Sequence, residues 1–446
     1  MHNRYLRFVP VTEHRALAAN PAAAALASAS FTHLPEPDPP LTKRDSAIFL
    51  MQIAAEIEHA LLVQYLYAAF SLNRTAPGAP STGFNSIFNT AKEEMGHLLT
   101  VQNVLLALGS SASLFREDMP IDTDFYPFPF VLEPVSKASL ARYVLAEMPD
   151  AALPEPKLSQ VRADAGVTGS FVVNQVGHLY RSIVEFLKDA DDSIFDASLI
   201  ALQGDAGDWR AGSPAITRDP VTHEPTDVGS GVFVAEVTTR LQAIDALRVV
   251  ALQGEGATDA PGPSSHFRRF LAVCDAAVAA PGSIALGVPT HPNTSTRPDE
   301  NEKAGAITNP ASRLWAQLLN SRYRILLACI SHYLTLDRGA VGRTSLADFA
   351  FDEMANIFTL SKHLVTLDRT TTPADGKAGP PFEMPYTLLL PAKPASRWRM
   401  QQDLIDNSTL LKNRIVGLQA DPGHVLDGLS VDAGRRAMID GFIASP

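Results

Sequence analysis

Cysteine is almost absent: Cys274 and Cys329 are the two in 446 residues, and no CxxC or CxxCH occurs. Two thiols cannot staple a chain of this length, so a disulfide scaffold is set aside and a reduced, cytoplasmic compartment is expected. Basic charge is also short. Lys and Arg number 37 against 48 Asp and Glu, for a net charge of −11. That balance excludes nucleic-acid binding through a basic surface. No run of 18 apolar residues goes unbroken by a polar one, so no membrane span is expected. The opening MHNRYLRFVPVTEHR has no apolar stretch leading to a small-residue cleavage site, so no secretion signal is expected. The motifs G-x-S-x-G, Walker A and G-x-G-x-x-G are missing too, which removes the usual support for hydrolase, NTPase and Rossmann readings.

What the chain has is apolar mass with a helical period. It is 46% hydrophobic, enough for two or three packed units or one large helical body. The periodicity predicts helices over about 44–72, 83–108, 136–148, 170–190, 231–253, 310–337, 344–368, 397–419 and 431–443. Ser136 suits an N-cap, Gly109 a C-terminus, Pro149 a stop, and Asn309-Pro310 places proline at a first helical position. No alternating run with hairpin signals predicts a strand. Most of the 33 prolines fall in the connections 32–43, 115–135, 204–230, 281–309 and 370–396. The expected organisation is an N-terminal extension (1–43), a helical bundle (44–280), a linker (281–309) and a C-terminal helical region (310–446).

The first two helices carry the clearest chemistry. In IAAEIEHALLVQYLYAAF, Glu58 shares its face with Met51, Ala54, Ala55, Leu61, Leu62 and Tyr65, an apolar stripe that turns inward. Glu56 neighbours Gln52 and His59, nearer a polar edge. An ionised carboxylate in a core is very costly, so Glu58 needs a metal, a cation or a proton. In the second helix Glu94 and His97 lie three apart with Ile87, Ala91, Leu98 and Val101, while Glu93 falls on the less buried side. An E-x-x-H pair on an apolar face is how helical bundles offer a carboxylate and an imidazole to a metal. The alternative is a buried Glu–His hydrogen bond without metal.

Further candidates follow. Glu147 ends an apolar stripe in the third helix, where the helix dipole disfavours an acid. His178 lies on a polar stripe with Asn174, Gln175, Arg181, Ser182 and Glu185, lining a wet cavity or facing solvent. Gly254 and Gly256 flank Glu255, either aiming it inward or ending its helix, and His266 follows a short Gly/Pro loop. Arg322 and Arg324 lie in an apolar helix and match Asp352 or Glu353 as ion-pair partners, the alternative being a clamp for a substrate carboxylate.

The segments EIEHALLVQYLYAAFSL, AKEEMGHLLTVQNVLLALG, AEMPD, VGHLYRSI, LQGEG and SHFRRF, with NPASRLWAQLLNSRYRILLACISHYL, FDEM and PPFEMPYTLLLP, resemble the ferritin-like iminophenylpyruvate dimer synthase family. The resemblance runs from about 44 to 420. It implies an all-α fold, a ferritin-like four-helix bundle with additional helices and long proline-rich loops. It also implies a role in bacterial secondary metabolism, where family members couple two imines derived from an aromatic amino acid. The violacein and rebeccamycin synthases are far longer, and this chain resembles a ferritin-like portion of them. By the resemblance the first-helix acid is Glu58, the E-E-M-x-H motif supplies Glu94 and His97, and an I-E-x-P-like segment supplies Glu147. Many members have an acid at His178, which makes that residue a ligand candidate.

The expectation is a non-haem metal oxidoreductase holding about one or two iron ions, with manganese the other candidate. Glu58, Glu94 and His97 are the expected ligands, completed by Glu147, His178, Glu255 and His266; Tyr65, Tyr180 and Arg181 are the catalytic candidates. An aromatic-lined cavity of indole or phenyl size is expected beside His97 and His178, with 115–135 and 370–396 as lids. Arg181 or Arg322 would bind a substrate carboxylate. The expected partner is a small molecule, with self-association or a pathway enzyme as further candidates. The alternatives are a non-catalytic ferritin-like scaffold and a metal-independent imine dimer synthase.

Overall fold

Thr42 starts the first helix, α1 (Lys43–Ser71), its hydroxyl accepting from the Asp45 amide at 3.1 Å. The computed structural model describes residues 40–116, 126–150, 152–168, 173–256, 261–300, 302–385, 388–421, 423–429 and 432–444. It also gives the backbone of a two-residue pair, β1 (Arg7–Phe8) with β2 (Pro37–Asp38). Most of the expected N-terminal extension and residues 117–125 of the first expected lid therefore lie outside the described residues, as do 386–387 of the second. By length and hydropathy α1 could cross a membrane. Here it is a core helix with Glu56, Glu58 and His59 buried along it.

α2 (Gly83–Ala107) lies along α1 and ends where Gly109 takes φ +77°, the left-handed turn expected there. α3 (Lys137–Ala146) opens on a capping box between Ser136 and Ser139. It packs against α4 (Lys157–Ala165) and α7 (His266–Ala279), while α5 (Val176–Lys188) packs against α6 (Arg240–Glu255). α2 also touches α6 and α7, and α1 touches α5, so these helices enclose one interior.

Three features depart from expectation. α4 and α7 are additional helices; α7 begins at His266 because the Ser265 hydroxyl caps it. α6 starts at Arg240, nine residues late, where Thr239 supplies the cap. The connection 204–230 holds an antiparallel pair, β3 (Ile216–Arg218) with β4 (Pro225–Val228), too short for alternation to be read in sequence.

The second half comprises α8 (Pro310–Tyr333), α9 (Arg343–Leu364), α10 (Pro394–Gly417) and α11 (Asp432–Ala444). Asn309 caps α8 with Pro310 in its first turn, as expected. Arg322, fully buried, donates to Glu353 at 3.1 Å and to both oxygens of Asp432 at 2.7 and 2.6 Å. Arg435 adds Asp352 at 2.9 Å and a second contact to Glu353. These ion pairs tie α8, α9 and α11 together, so Arg322 has the structural role rather than the clamp role.

One hydrophobic core runs through both halves. Phe70 of α1 and Phe84 and Phe88 of α2 meet Phe358 of α9, with centroids 5.3–6.4 Å from it. His59 donates from Nδ1 to the Leu114 carbonyl at 2.9 Å and accepts from the Tyr323 hydroxyl through Nε2. Burial and the nearby Arg116 push His59 down to about 3, so it stays a neutral joint between the halves.

Candidate metal centre

Five helices deliver carboxylates and imidazoles to one buried point. Glu58 comes from the middle of α1, Glu94 and His97 from α2, Glu147 from the C-cap of α3 and His266 from the first turn of α7; Glu255 ends α6 nearby. All six are 5% exposed or less. An acid at a helix C-terminus and an imidazole that charges at a helix N-terminus each oppose the local dipole. In the fold these two misfits meet, with His266 Nδ1 3.7 Å from Glu147 Oε2.

Two triads form, Glu58–Glu94–His97 and Glu94–Glu147–His266, with the ligand atoms in each within 4.8 Å of one another. Glu94 belongs to both. Its Oε2 lies 2.9 Å from His97 Nδ1 and its Oε1 lies 2.9 Å from His266 Nδ1. Glu94 thus offers one carboxylate oxygen to each imidazole.

The remaining bonds orient the donors. Tyr180 donates to Glu58 Oε1 and leaves Oε2 free; Tyr65 donates to Glu147 Oε1 at 2.6 Å, leaving Oε2 toward His266. Gln253 spends its amide nitrogen on the Gly229 and Gly231 carbonyls at 2.8 and 2.9 Å, so its Oε1 must accept from His97 Nε2 at 2.9 Å. His266 Nε2 donates to Glu93 Oε2 at 3.0 Å. Both imidazoles therefore turn Nδ1 to the centre, the arrangement that supporting hydrogen bonds impose on metal-binding histidines.

The electrostatics match. Burial and the neighbouring Glu94 push Glu58 up to about 8. Burial pulls His97 down, but Glu94 and Glu58 outweigh it and hold the ring up at about 10. Burial would raise Glu94, yet His266 and His97 keep it well below the carboxylate range. Without a metal, protons and imidazolium charge hold this cluster together.

The residues fit a divalent cation. Glu58 Oε2, Glu94 Oε1, Glu255 Oε1 and His266 Nδ1 are buried with no hydrogen-bond partner. Glu94 Oε1 and His266 Nδ1 lie 2.9 Å apart as an ion pair without hydrogen-bond geometry. Each unsatisfied buried group costs about 1–3 kcal/mol, more when charged. Cations accepting those lone pairs would offset the cost, and carboxylate oxygen with imidazole nitrogen is a common donor set for a divalent metal.

Other expected site residues sit apart. His178 is half-buried and bonds Asp150 at 2.8 Å through Nε2; it joins neither triad, because the polar stripe of α5 turns to the protein's edge. Glu255 is outside the triads as well: Arg181, itself exposed, holds its Oε2 at 2.6 Å while Oε1 faces the centre. Burial, partly offset by Arg181, pushes Glu255 up to about 7. Glu93, read as the less buried acid, is 3% exposed and held by Arg269 at 2.7 and 3.1 Å and by the Gly231 amide at 2.9 Å. Sequence reasoning missed Gln253, Glu93 and Arg269 as supports. The available signal was Arg269 three residues after His266, on the same face of α7.

Beside the triads the described residues leave a cavity of about 10 Å³, among Leu61, Val176, Gly177, Val250 and Gly254. That is room for an ion or about one water. Among the described residues no indole-sized cavity opens at His97 and His178, because helix α5 packs its Val176–Tyr180 turn directly onto the candidate ligands. Glycine permits the approach: a Cβ at Gly177 would lie 1.7 Å from Glu255 Oε1, and one at Gly254 2.7 Å from Glu147 Oε2.

Comparison with known proteins adds four matches. A family model described as Ferritin-like matches residues 51–275. The chain is 25% identical over 384 residues (77% of its length) to the dichlorochromopyrrolate synthase of Lentzea aerocolonigenes, covering 36% of that protein. It is 26% identical over 368 residues (74%) to the 2-imino-3-(indol-3-yl)propanoate dimerase of Chromobacterium violaceum, covering 33%. The chain thus spans about a third of the length of these curated relatives. A crystal structure of a ferritin-like protein from Caulobacter vibrioides aligns with 71% of this chain and 96% of its own, at 18% identity and a TM-score of 0.43.

Proposed function

This chain belongs to the ferritin-like family, whose model spans half of it, and from that premise we propose that it is a non-haem metal oxidoreductase of natural-product biosynthesis. Its substrate is a small aromatic or amino-acid-derived molecule, and the reaction class is oxidative coupling of imines. The observation that carries the reading is the pair of buried triads sharing Glu94, with unpartnered lone pairs converging between them. The names of the two curated relatives support the substrate class.

Glu58, Glu94, His97, Glu147 and His266 would hold the metal. Iron held there would supply one-electron redox chemistry with dioxygen or peroxide. The chain's own groups do the rest. Tyr180 and Tyr65 fix the rear oxygens of Glu58 and Glu147, and burial together with hydrogen bonds to the carboxylates keeps both phenols protonated far above neutral pH. Gln253 and Glu93 fix the two imidazoles. Arg181 holds Glu255 at the solvent edge of the cavity, and the close seat of α5 leaves water little room.

One observation favours a second reading. An ion-sized cavity suits a ferritin-like module that binds metal without processing an organic molecule at it. Metal analysis and dioxygen uptake separate the two. Protein expressed with iron supplementation is expected to carry about one or two ions per chain. Dioxygen consumption should rise on adding an aromatic imino acid, and Glu94→Ala should abolish both. Metal without substrate-dependent consumption establishes the module reading, and no metal defeats both readings.

A further inference from the structure

Helix α2 has a second, polar face. Glu94 and His97 turn to the metal side, while Asn85, Ser86, Asn89 and Lys92 recur at helical spacing along the other side. A polar helix face is ordinarily just solvated. This one is walled by Ser230–Val232, Pro263, Ser264 and Arg269 into an open cleft of about 610 Å³. Small-molecule sites fall within about 300–1,000 Å³, and the cavity at the triads is far below that.

The charges in the cleft are unequal. Glu93 lines it, but Arg269, His266 and the Gly231 amide already take both its oxygens. Lys92 is exposed and makes no ion pair among the described residues. Among the described residues the cleft therefore has one uncommitted cation, surrounded by hydroxyls, side-chain amides and the apolar edges of Val232 and Pro263.

We propose that this cleft binds a small organic carboxylate, with Lys92 pairing the anion, and that it reports to the metal centre through Glu93 and His266. The link is a chain of contacts already described. Arg269 holds Glu93, Glu93 accepts from His266 Nε2 at 3.0 Å, and His266 Nδ1 lies 2.9 Å from Glu94. An anion drawing on the N–H groups of Arg269 loosens Glu93 and so reorients His266. This deepens the proposed function by placing an organic acid on the far side of a metal-supporting histidine. The binding itself does not depend on the metal.

Titration calorimetry of the full chain, metal-free and cobalt(II)-loaded, tests it with indole-3-pyruvate and with indole as the probe lacking a carboxylate. Indole-3-pyruvate should bind both forms, with indole at least tenfold weaker. Lys92→Glu and the cleft-filling Ser86→Trp should each weaken indole-3-pyruvate at least tenfold. The cobalt absorption bands should shift on binding, and the shift should vanish with binding in both variants. Binding that survives either substitution overturns the site, equal binding of indole overturns the carboxylate class, and binding without a band shift overturns the link to His266. A chain that retains no metal yet binds indole-3-pyruvate through Lys92 defeats the metal reading and leaves the cleft standing.

Discussion

Gly177→Ala puts the closeness of α5 to the centre on trial. The added Cβ would stand 1.7 Å from Glu255 Oε1 and 2.0 Å from its carboxyl carbon. To reach ordinary contact at 3.4 Å, the carboxylate must retreat by about 1.7 Å. On one side Arg181 already lies 2.6 Å from Oε2; on the other is the cavity of about 10 Å³. Either the helix shifts or Glu255 takes the ion's room. Overpacking of this kind costs about 1–3 kcal/mol, less the roughly 0.4–1 kcal/mol that glycine-to-alanine gains by restricting the unfolded chain. A net loss of about 1–2 kcal/mol is expected, with metal affinity down about 10–100-fold, as for other changes behind a ligand shell. Gly434→Ala is the matched control. It is the third residue of α11 and its Cβ would meet nothing within 4 Å, so it should gain about 0.4–1 kcal/mol and leave metal binding alone. Urea unfolding and competition with a chelator measure both quantities. If Gly177→Ala is as stable as the control and keeps its metal, Glu255 does not sit against the α5 backbone at Gly177.

Three more outcomes are expected. Glu58→Ala should lose metal while Glu56→Ala retains most of it, and His178→Ala should retain it too; elemental analysis of the three variants decides, equal losses in all refuting the helix phase. Without metal, stability should fall as pH rises from about 6.5 to 8, because the folded chain there keeps protons on Glu58 and His97 that the unfolded chain has released; Glu94, depressed in the fold, adds a constant across that window, and a flat profile in denaturation titrations would contradict the coupling. Metal loading should remove the slope, since the ions replace those protons. Glu353→Ala should destabilise by about 3–5 kcal/mol, because it leaves Arg322 and Arg435 buried without that partner, with metal content unchanged when measured on the folded fraction.

Periodicity places Glu58, Glu94 and His97 on inward faces, and all three are buried, because they lie mid-helix, where an apolar face points in one direction. Glu147, Glu255 and His266 lie at helix ends, where the chain turns and a period no longer says which way a side chain points. His178 shows the opposite limit. Its stripe read correctly as polar, and the resemblance then drew it toward the site although its helix turns that stripe outward. Glu93 was misjudged because one helix was read alone; α7, an unexpected helix, covers it with Arg269 and His266. The cavity was misjudged for a different reason. Apolar and aromatic residues near the candidate ligands suggest a lined space in sequence, whereas Gly177 and Gly254 let the helices close it.

The shared core sets the size of any piece that could be moved between proteins. The family model stops at 275, yet Phe70, Phe84 and Phe88 are covered by Phe358, and His59 is joined to Tyr323. A chimera cut to the boundaries of the family match would carry all five proposed metal ligands and still leave its long central helices bare on one flank. Such a graft would stick to other molecules before it bound a metal. The transferable module runs from α1 through α11, and a recombination point within it would have to bring along the helix that shields the other side.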